Sequence, residues 1–294
     1  MAEESPISYE QLAAIEREFE DIETEIIRKQ YELTRPLYEK RQAIISKIPN
    51  FWPLVLEQAP PDIDEYIQPQ DSALLLAALK NVSVSRFDIE NGAQGDPRSV
   101  SIKLEFGDND FFEDKVVEKK FWYRHSDDFT GLISEPVTLR WKAGKDLTGG
   151  LLDLVKKVWD SDATAWKGGK GDSAEAKALR AKMEETGMGG VSFFAWLGYV
   201  GRRITEAESK AAFEKETREI QMRLNGEKVD GDEEMEDDDD DEDDDLEIFP
   251  GGDDLAQAIA VDLWPEALKY FAQAQEMEAM SDVEFEDDDD EDDE

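Results

Sequence analysis

The chain has 294 residues and a formal net charge of −41, and 39% of its residues are hydrophobic. A field of that sign repels nucleic acid and anionic membranes and attracts basic partners, so we expect neither sequence-specific nucleic-acid binding nor membrane binding. Cysteine is absent, which excludes disulfides, thiol chemistry and cysteine-based zinc sites.

Two runs concentrate the negative charge. Residues 232–245 contain 13 acids among 14 residues, and residues 282–294 contain 11 among 13. Without these 24 acids the remainder still carries −17 of the total of −41. We expect both runs to be disordered, because like charges repel and little apolar surface rewards compaction. Their length favours interaction tails, and a purely solubilising role remains the alternative.

The first predicted element is a long helix over residues 8–46, with Ser8 and Gln11 placed for a capping box. At about 1.5 Å per residue it would be roughly 58 Å long, longer than a small domain is wide. The simplest way to bury its apolar stripe is to pack it against a second copy of the chain. Pro36 predicts a kink or an end, so two shorter helices packed on their own domain remain an alternative. The stripe that we expect to mediate dimerisation comprises Leu12, Ile15, Phe19, Ile22, Ile26, Leu33, Leu37 and Ile44.

A helical turn over residues 51–56, capped by Asn50, and a buried helix over residues 71–80 follow. The apolar period then changes to two, which indicates strands. Short connections between consecutive strands favour an antiparallel meander with one face that needs cover. The four predicted strands are residues 82–89, 100–106, 116–123 and 136–141.

Helices return after the sheet, so the fold class is α+β. Residues 191–200 are apolar enough to belong to the core, and residues 205–224 are charged enough to form an exposed helix. The other predicted helices are residues 151–159, 174–185 and a last packed segment, 253–275.

No arrangement of residues indicates catalysis, a cofactor or a metal. The single histidine, His125, ends a strand beside two aspartates, which is typical of a surface imidazole. Residues 144–148 resemble the end of a phosphate-binding loop, but Leu139 stands where that motif needs glycine and Asp146 where it needs Ser or Thr. We therefore expect a protein that is not an enzyme.

Five segments, in order along the chain, resemble the SET branch of the nucleosome assembly protein (NAP/SET) family of histone chaperones. They are residues 47–52 (KIPNFW), 109–116 (NDFFEDKV), 139–148 (LRWKAGKDLT), 192–196 (SFFAW) and 262–271 (DLWPEALKYF). The resemblance implies a NAP-like fold, in which a dimerisation helix carries an α+β "earmuff" domain. It also implies a homodimer in the nucleus, with a cytoplasmic pool, that binds core histones, H2A–H2B or H3–H4, and promotes nucleosome assembly.

The family places an acidic pair just before its last helix, and Asp253 and Asp254 match that pair. We expect them to bind histones, although helix capping and dipole compensation explain them too. Four weaker candidates lie in a turn between two predicted strands, where solvation explains them equally well. They are Asp108, Asp110, Glu113 and Asp114.

The chain departs from the pattern by a charged helix and acidic insert at residues 202–247, whose role the sequence leaves open. Fungal members of the branch have a similar arrangement, so we expect a fungal protein. The predicted domain order is residues 1–48 (dimerisation helix), 49–201 and 248–280 (earmuff domain, interrupted by the insert) and 281–294 (acidic tail). Three alternatives remain: a protein that masks histone tails, an adaptor that binds an acetyltransferase or inhibits a phosphatase, and a structural acidic coiled coil.

Overall fold

The computed structural model describes residues 9–167, 171–187, 190–225 and 246–288, with side chains between residues 11 and 280. The helices are α1 (Tyr9–Ile45), α2 (Phe51–Glu57), α3 (Pro61–Asp64), α4 (Pro69–Ala78), α5 (Leu151–Ser161), α6 (Ala174–Thr186), α7 (Glu206–Leu224), α8 (Gly252–Ala258) and α9 (Ala267–Asp288). The strands are β1 (Leu79–Ser85), β2 (Val100–Phe106), β3 (Val116–His125) and β4 (Thr130–Ser134). No helix in the described ranges is long and apolar enough to cross a membrane.

The long first helix is confirmed. α1 contains Pro36 and does not end there, so the alternative of two shorter helices is not what the structure shows. The predicted cap at Ser8 lies outside the described residues. Asn50 precedes α2 in the left-handed conformation, with φ of 53°, and its side chain makes no capping hydrogen bond, so that part of the prediction is wrong.

The four strands form one antiparallel sheet in the order β1-β2-β3-β4, which confirms the predicted meander. Its register pairs Val100 with Phe121 and Phe121 with Ser134. The first strand ends earlier than predicted, because residues 87–89 belong to a 3-10 turn. Arg86 donates through Nη1 to the carbonyl oxygens of residues 97 and 98, which folds the loop back before the strand can continue.

The position predicted for the fourth strand, residues 136–141, is wrong. β4 lies at Thr130–Ser134, where a short hairpin returns directly from β3. Pro136 has no N–H to donate to a ladder. Val137 N instead donates to the Leu197 carbonyl oxygen at 2.8 Å, which joins this segment to the core rather than to the sheet.

The core lies on one face of the sheet, against the buried segment that the sequence predicts. Residues 193–198 form a 3-10 turn in which every side chain is buried. Phe121 of β3 stacks on Trp196, with ring centroids 5.4 Å apart. Buried Asp71 of α4 accepts hydrogen bonds from Ser192 Oγ at 2.6 Å and from Phe193 N at 2.7 Å, which fixes the start of this turn.

Two buried charged side chains fix the chain where it returns after the first acidic run. Lys119 and Glu247 are 1% and 5% exposed, and burial lowers the pKa of the amine and raises the pKa of the carboxyl. Lys119 Nζ donates to the carbonyl oxygens of Glu135, Leu197 and Tyr199. Glu247 accepts from the backbone N–H groups of Val200, Gly201 and Phe249. The two side chains therefore both hold residues 197–201, one through carbonyl oxygens and the other through N–H groups.

The last packed segment, predicted as one helix over residues 253–275, is divided. α8 continues into a π-helical turn, Ile259–Leu263, and Trp264 N donates to the Ile259 carbonyl oxygen at 2.9 Å. Pro265 lacks an N–H group and cannot continue the helix, so α9 begins two residues later. α9 extends to Asp288, past the predicted domain boundary at 280. The acidic run 232–245 and residues 289–294 lie outside the described residues.

Candidate functional site

Asp253 and Asp254 lie in the first turn of α8. Gly251 precedes them with φ of 78°, a conformation that side chains other than glycine rarely adopt, so the chain turns sharply into the helix. Asp254 is exposed and Asp253 is half-buried. Burial raises the pKa of Asp253, and the neighbouring charge of Asp254 acts in the same direction. The helix dipole favours both charges, so the predicted capping role and a binding role coexist here.

α3 packs against α8 and adds a second set of acids to the same surface. Tyr66, just after α3, lies between the two helices, and its ring packs against Phe249 at 5.0 Å. Burial raises the pKa of Tyr66, and four carboxylates raise it further. They are Glu65, Asp254, Asp253 and Asp62. Acids almost 190 residues apart in sequence therefore act on one phenol.

The link between α8 and α9 extends this surface. Tyr270 donates its hydroxyl to the Asp262 carboxylate, with both oxygens at 3.0 Å. Burial raises the pKa of Tyr270 to about 12, and the hydrogen bond and charge of Asp262 raise it too, with Asp62 and Glu266 adding smaller effects. We call the following six residues the α8 acidic surface: Asp62, Glu65, Asp253, Asp254, Asp262 and Glu266.

The α8 acidic surface contains no ion pair among the residues that the structure describes. Within the part of the chain that the structure describes, none of its six carboxylates has a Lys or Arg nitrogen within 4.0 Å. Unpaired like charges raise the electrostatic energy of the folded chain, and a cationic partner would relieve it. The surface is therefore suited to bind a basic partner.

The β2–β3 turn, which holds the four weaker candidates, is different. Asp108 forms an ion pair with Lys115, and Asp114 accepts from Arg140 Nε at 2.9 Å. Glu113 lies 3.7 Å from the same arginine. Asp110 is the member of the four for which the structure gives no ion pair within the described ranges. The turn packs against residues 140–142, whereas α8 packs against α3 and β4, so the two sets stay apart.

The sequence identified two of the six acids of the α8 acidic surface. Asp62, Glu65, Asp262 and Glu266 were missed, because nothing in a linear sequence shows that α3 and α8 meet. The motif of two prolines followed by three acids and Tyr66 is the one local signal, since it predicts an exposed acidic turn with an aromatic residue.

The predicted dimerisation stripe is uncovered in this single chain. Its eight side chains are between 50% and 65% exposed. The opposite face of α1 turns polar and aromatic residues toward its own domain: Arg28 donates to the Gly95 carbonyl oxygen and Arg41 to that of Pro265, both at 3.0 Å. A surface helix of a globular protein normally turns its apolar side chains inward, so the outer face of α1 is an apolar surface of the kind that marks interaction sites.

A long helix with an exposed apolar stripe, joined to an α+β domain with an acidic surface, defines the class of protein to which this chain belongs. The family model of the nucleosome assembly protein (NAP) matches residues 45–274. The chain belongs to the nucleosome assembly protein family, which is not an enzyme family.

Similar proteins agree with this assignment. The chain is 39% identical over 155 residues to a Schizosaccharomyces pombe protein named as a nucleosome assembly protein, covering 49% of this chain and 61% of that one. It is 31% identical over 171 residues to Protein SET of Drosophila melanogaster, covering 51% and 56%. The chain thus spans less than two thirds of either relative. The crystal structure of the Vps75 histone chaperone is 25% identical, with a TM-score of 0.54, and covers 90% of this chain and 97% of that chain.

Proposed function

We propose that this chain is a histone chaperone that binds core histones through the α8 acidic surface and the two acidic runs, and promotes nucleosome assembly. The observation that carries the proposal is the set of six carboxylates without a cationic partner in the described part of the chain. The family match and the likeness to the Vps75 histone chaperone support it.

Competition with DNA explains how such a surface would work. Basic proteins bind DNA by neutralising phosphates, and an acidic chaperone competes for the same lysines and arginines. It releases them where DNA offers a stronger hold. Charge supplies attraction and association rate, while the shape around Tyr66 and α8 supplies preference for a folded partner.

We further propose that two copies associate through the stripe on α1. Fully burying an exposed aliphatic or aromatic side chain contributes about 1.5–3 kcal/mol, and eight such side chains are available. Pairing places two α8 acidic surfaces on one rod, so a partner can contact both. Acidic runs tethered nearby raise the effective concentration of negative charge.

This activity belongs in the nucleus, where core histones meet DNA, with a cytoplasmic pool that receives newly made histones. Either histone pair, H2A–H2B or H3–H4, fits a surface that recognises positive charge. The resemblance to the family supports this location and these partners.

The proposal is tested by titrating the protein with each histone pair and measuring the binding affinity at rising salt. The measurement is made on the full chain and on a chain that lacks residues 232–245 and 282–294. We expect affinity to fall as salt rises, and we expect the shortened chain to retain part of it. Loss of all binding in the shortened chain would reduce the folded domain to a spacer. A full chain that binds neither pair and instead co-purifies with an acetyltransferase or a phosphatase would favour the adaptor.

A further inference from the structure

The insert that interrupts the family pattern begins with a helix whose first turn is fixed in place. Thr205 and Glu208 form a reciprocal capping box at the start of α7. Lys167 forms an ion pair with Glu208 at 2.8 Å. The hydrogen bonds from Lys167 and Thr205 lower the pKa of Glu208 to about 2, so this contact is charged at every physiological pH.

α7 is also attached to the β3–β4 hairpin. His125 N donates to Ser209 Oγ at 2.9 Å, which uses a backbone group at the end of β3. Lys215, nearly two turns further along α7, forms an ion pair with Asp127 at 2.8 Å. The helix therefore lies along the hairpin instead of projecting from the domain.

The same helix reaches α1. Arg17 Nη1 lies 2.6 Å from Glu216 Oε2, and the Arg17 side chain is only 19% exposed. The guanidinium carbon lies 4.1 Å from the centre of the Phe213 ring. A charged hydrogen bond and a cation–π contact therefore converge on one arginine of the dimerisation helix.

Cavities lie along much of the inner side of α1. Those of about 420 and 470 Å³ lie under its middle and are both lined by Ile27, and one of about 350 Å³, lined by Arg17 and Phe213, lies under its first third. The other side-chain hydrogen bonds from α1 to the described part of the domain, at Arg28, Tyr31 and Arg41, lie on the C-terminal side of Arg17. Among the contacts of the described residues, those with α7 lie nearest to Leu12, Ile15 and Phe19, the first three members of the stripe.

We propose that α7 is a brace for the first third of α1. It keeps this segment helical and fixes its orientation on the domain, and so pre-organises the apolar stripe for self-association. The end of an isolated helix frays, because few bonds hold its first turns. Pre-organisation raises affinity by removing the cost of ordering that segment on binding. Arg17, Phe213 and Glu216 are thus positioning residues for a surface they do not belong to. This inference rests on the proposed dimer.

The test changes α7 alone and measures self-association by sedimentation. In Glu216→Arg and Phe213→Ala we expect the dimer dissociation constant to rise about tenfold or more. Amide hydrogen exchange in residues 11–20 should accelerate in the same variants. Adding Arg17→Glu to Glu216→Arg restores the ion pair with reversed charges but not the cation–π contact with Phe213, so we expect it to recover part of the association and protection.

The matched control is Arg35→Glu with Glu39→Arg, a reversal of an exposed pair on α1 at 3.5 Å, which should leave association unchanged. If the wild-type chain dimerises and the α7 variants dimerise equally well, the proposal that α7 is a brace is wrong. A charge-reversed pair that recovers none of the lost association would also overturn it. A wild-type chain that is monomeric at every concentration would instead overturn the proposed dimer, together with this role for α7.

Discussion

The α8 acidic surface, with six acids, and the β2–β3 turn, with four, differ in what those acids contact. In the turn, Asp108, Glu113 and Asp114 lie within 4.0 Å of Lys115 or Arg140. On the α8 acidic surface no carboxylate in the described part of the chain has such a partner, and Tyr66 senses four of them at once. The density of acids in a sequence therefore does not reveal which ones are available to a basic partner.

The difference has an energetic meaning. An exposed ion pair contributes about 0–1 kcal/mol, so an external cation gains little by replacing Lys115 or Arg140. Unpaired acids repel one another, and a cation that binds among them removes that repulsion. The comparison predicts that equal losses of charge at the two places have unequal effects.

The largest expected effect concerns what holds the α8 acidic surface in place. Glu247→Ala removes a buried negative charge that acts on Lys119, and it also removes the acceptor of three backbone N–H groups. We expect a loss of about 3–5 kcal/mol in the free energy of unfolding, measured by chemical denaturation.

Glu113→Gln in the turn is the control for that measurement, because its carboxylate is exposed, and it should cost less than about 1 kcal/mol. Similar losses in the two variants would show that Glu247 does not anchor the chain after the acidic run.

The second effect concerns the dimer, which would present the α8 acidic surface twice. Ile22→Glu with Ile26→Glu places charges in the middle of the stripe, where both residues are more than half exposed in the single chain. We expect monomers with unchanged folding of the domain, and weaker histone binding because avidity is lost. Light scattering that shows an undisturbed dimer would remove the role assigned to the stripe.

The smallest effect is the change in the free energy of unfolding when a single carboxylate is neutralised. The sign of this change should differ between the α8 acidic surface and the β2–β3 turn. Burial raises the pKa of Asp253, so the folded chain carries this charge at a cost at neutral pH. Asp253→Asn should slightly increase the free energy of unfolding at pH 7. The gain should vanish as the pH falls below about 4, the usual carboxyl pKa, because the wild-type side chain is then protonated in both states.

Asp114→Asn should do the opposite at pH 7, with a loss of up to about 1 kcal/mol, because it breaks a pair with Arg140. Denaturation curves for both variants at the two pH values check this. A loss of stability for Asp253→Asn would mean that its charge is compensated after all.

Much of the fold follows from periodicity and turn chemistry. The stripe on α1 predicts one long helix, and the bounds of β2, α5, α6 and α7 fall within two residues of those predicted. β4 was missed because a five-residue strand with a glycine has a weaker apolar alternation than residues 136–141. The apolar side chains of residues 136–141 pack into the core and do not form a strand of the sheet. The division of the last helix depends on packing at Ile259–Leu263, which Pro265 alone does not specify.

The candidate site could be predicted only in part, for a similar reason. Asp253 and Asp254 were found through their position before the last helix. The contribution of Asp62 and Glu65 depends on α3 meeting α8, a long-range contact that no local pattern encodes. The pairing of Glu113 and Asp114 depends likewise on Arg140, a residue that the sequence places in a different predicted strand.

The most direct measurement compares two variants that each lose two negative charges. Asp253→Asn with Asp254→Asn changes the α8 acidic surface, and Glu113→Gln with Asp114→Asn changes the turn. At moderate salt we predict that the first weakens H2A–H2B or H3–H4 binding by about tenfold, or ~1.4 kcal/mol, and that the second changes it by less than about twofold. Equal weakening by the two variants, or a larger effect of the turn, would contradict the claim that unpaired acids on α8 form the binding surface.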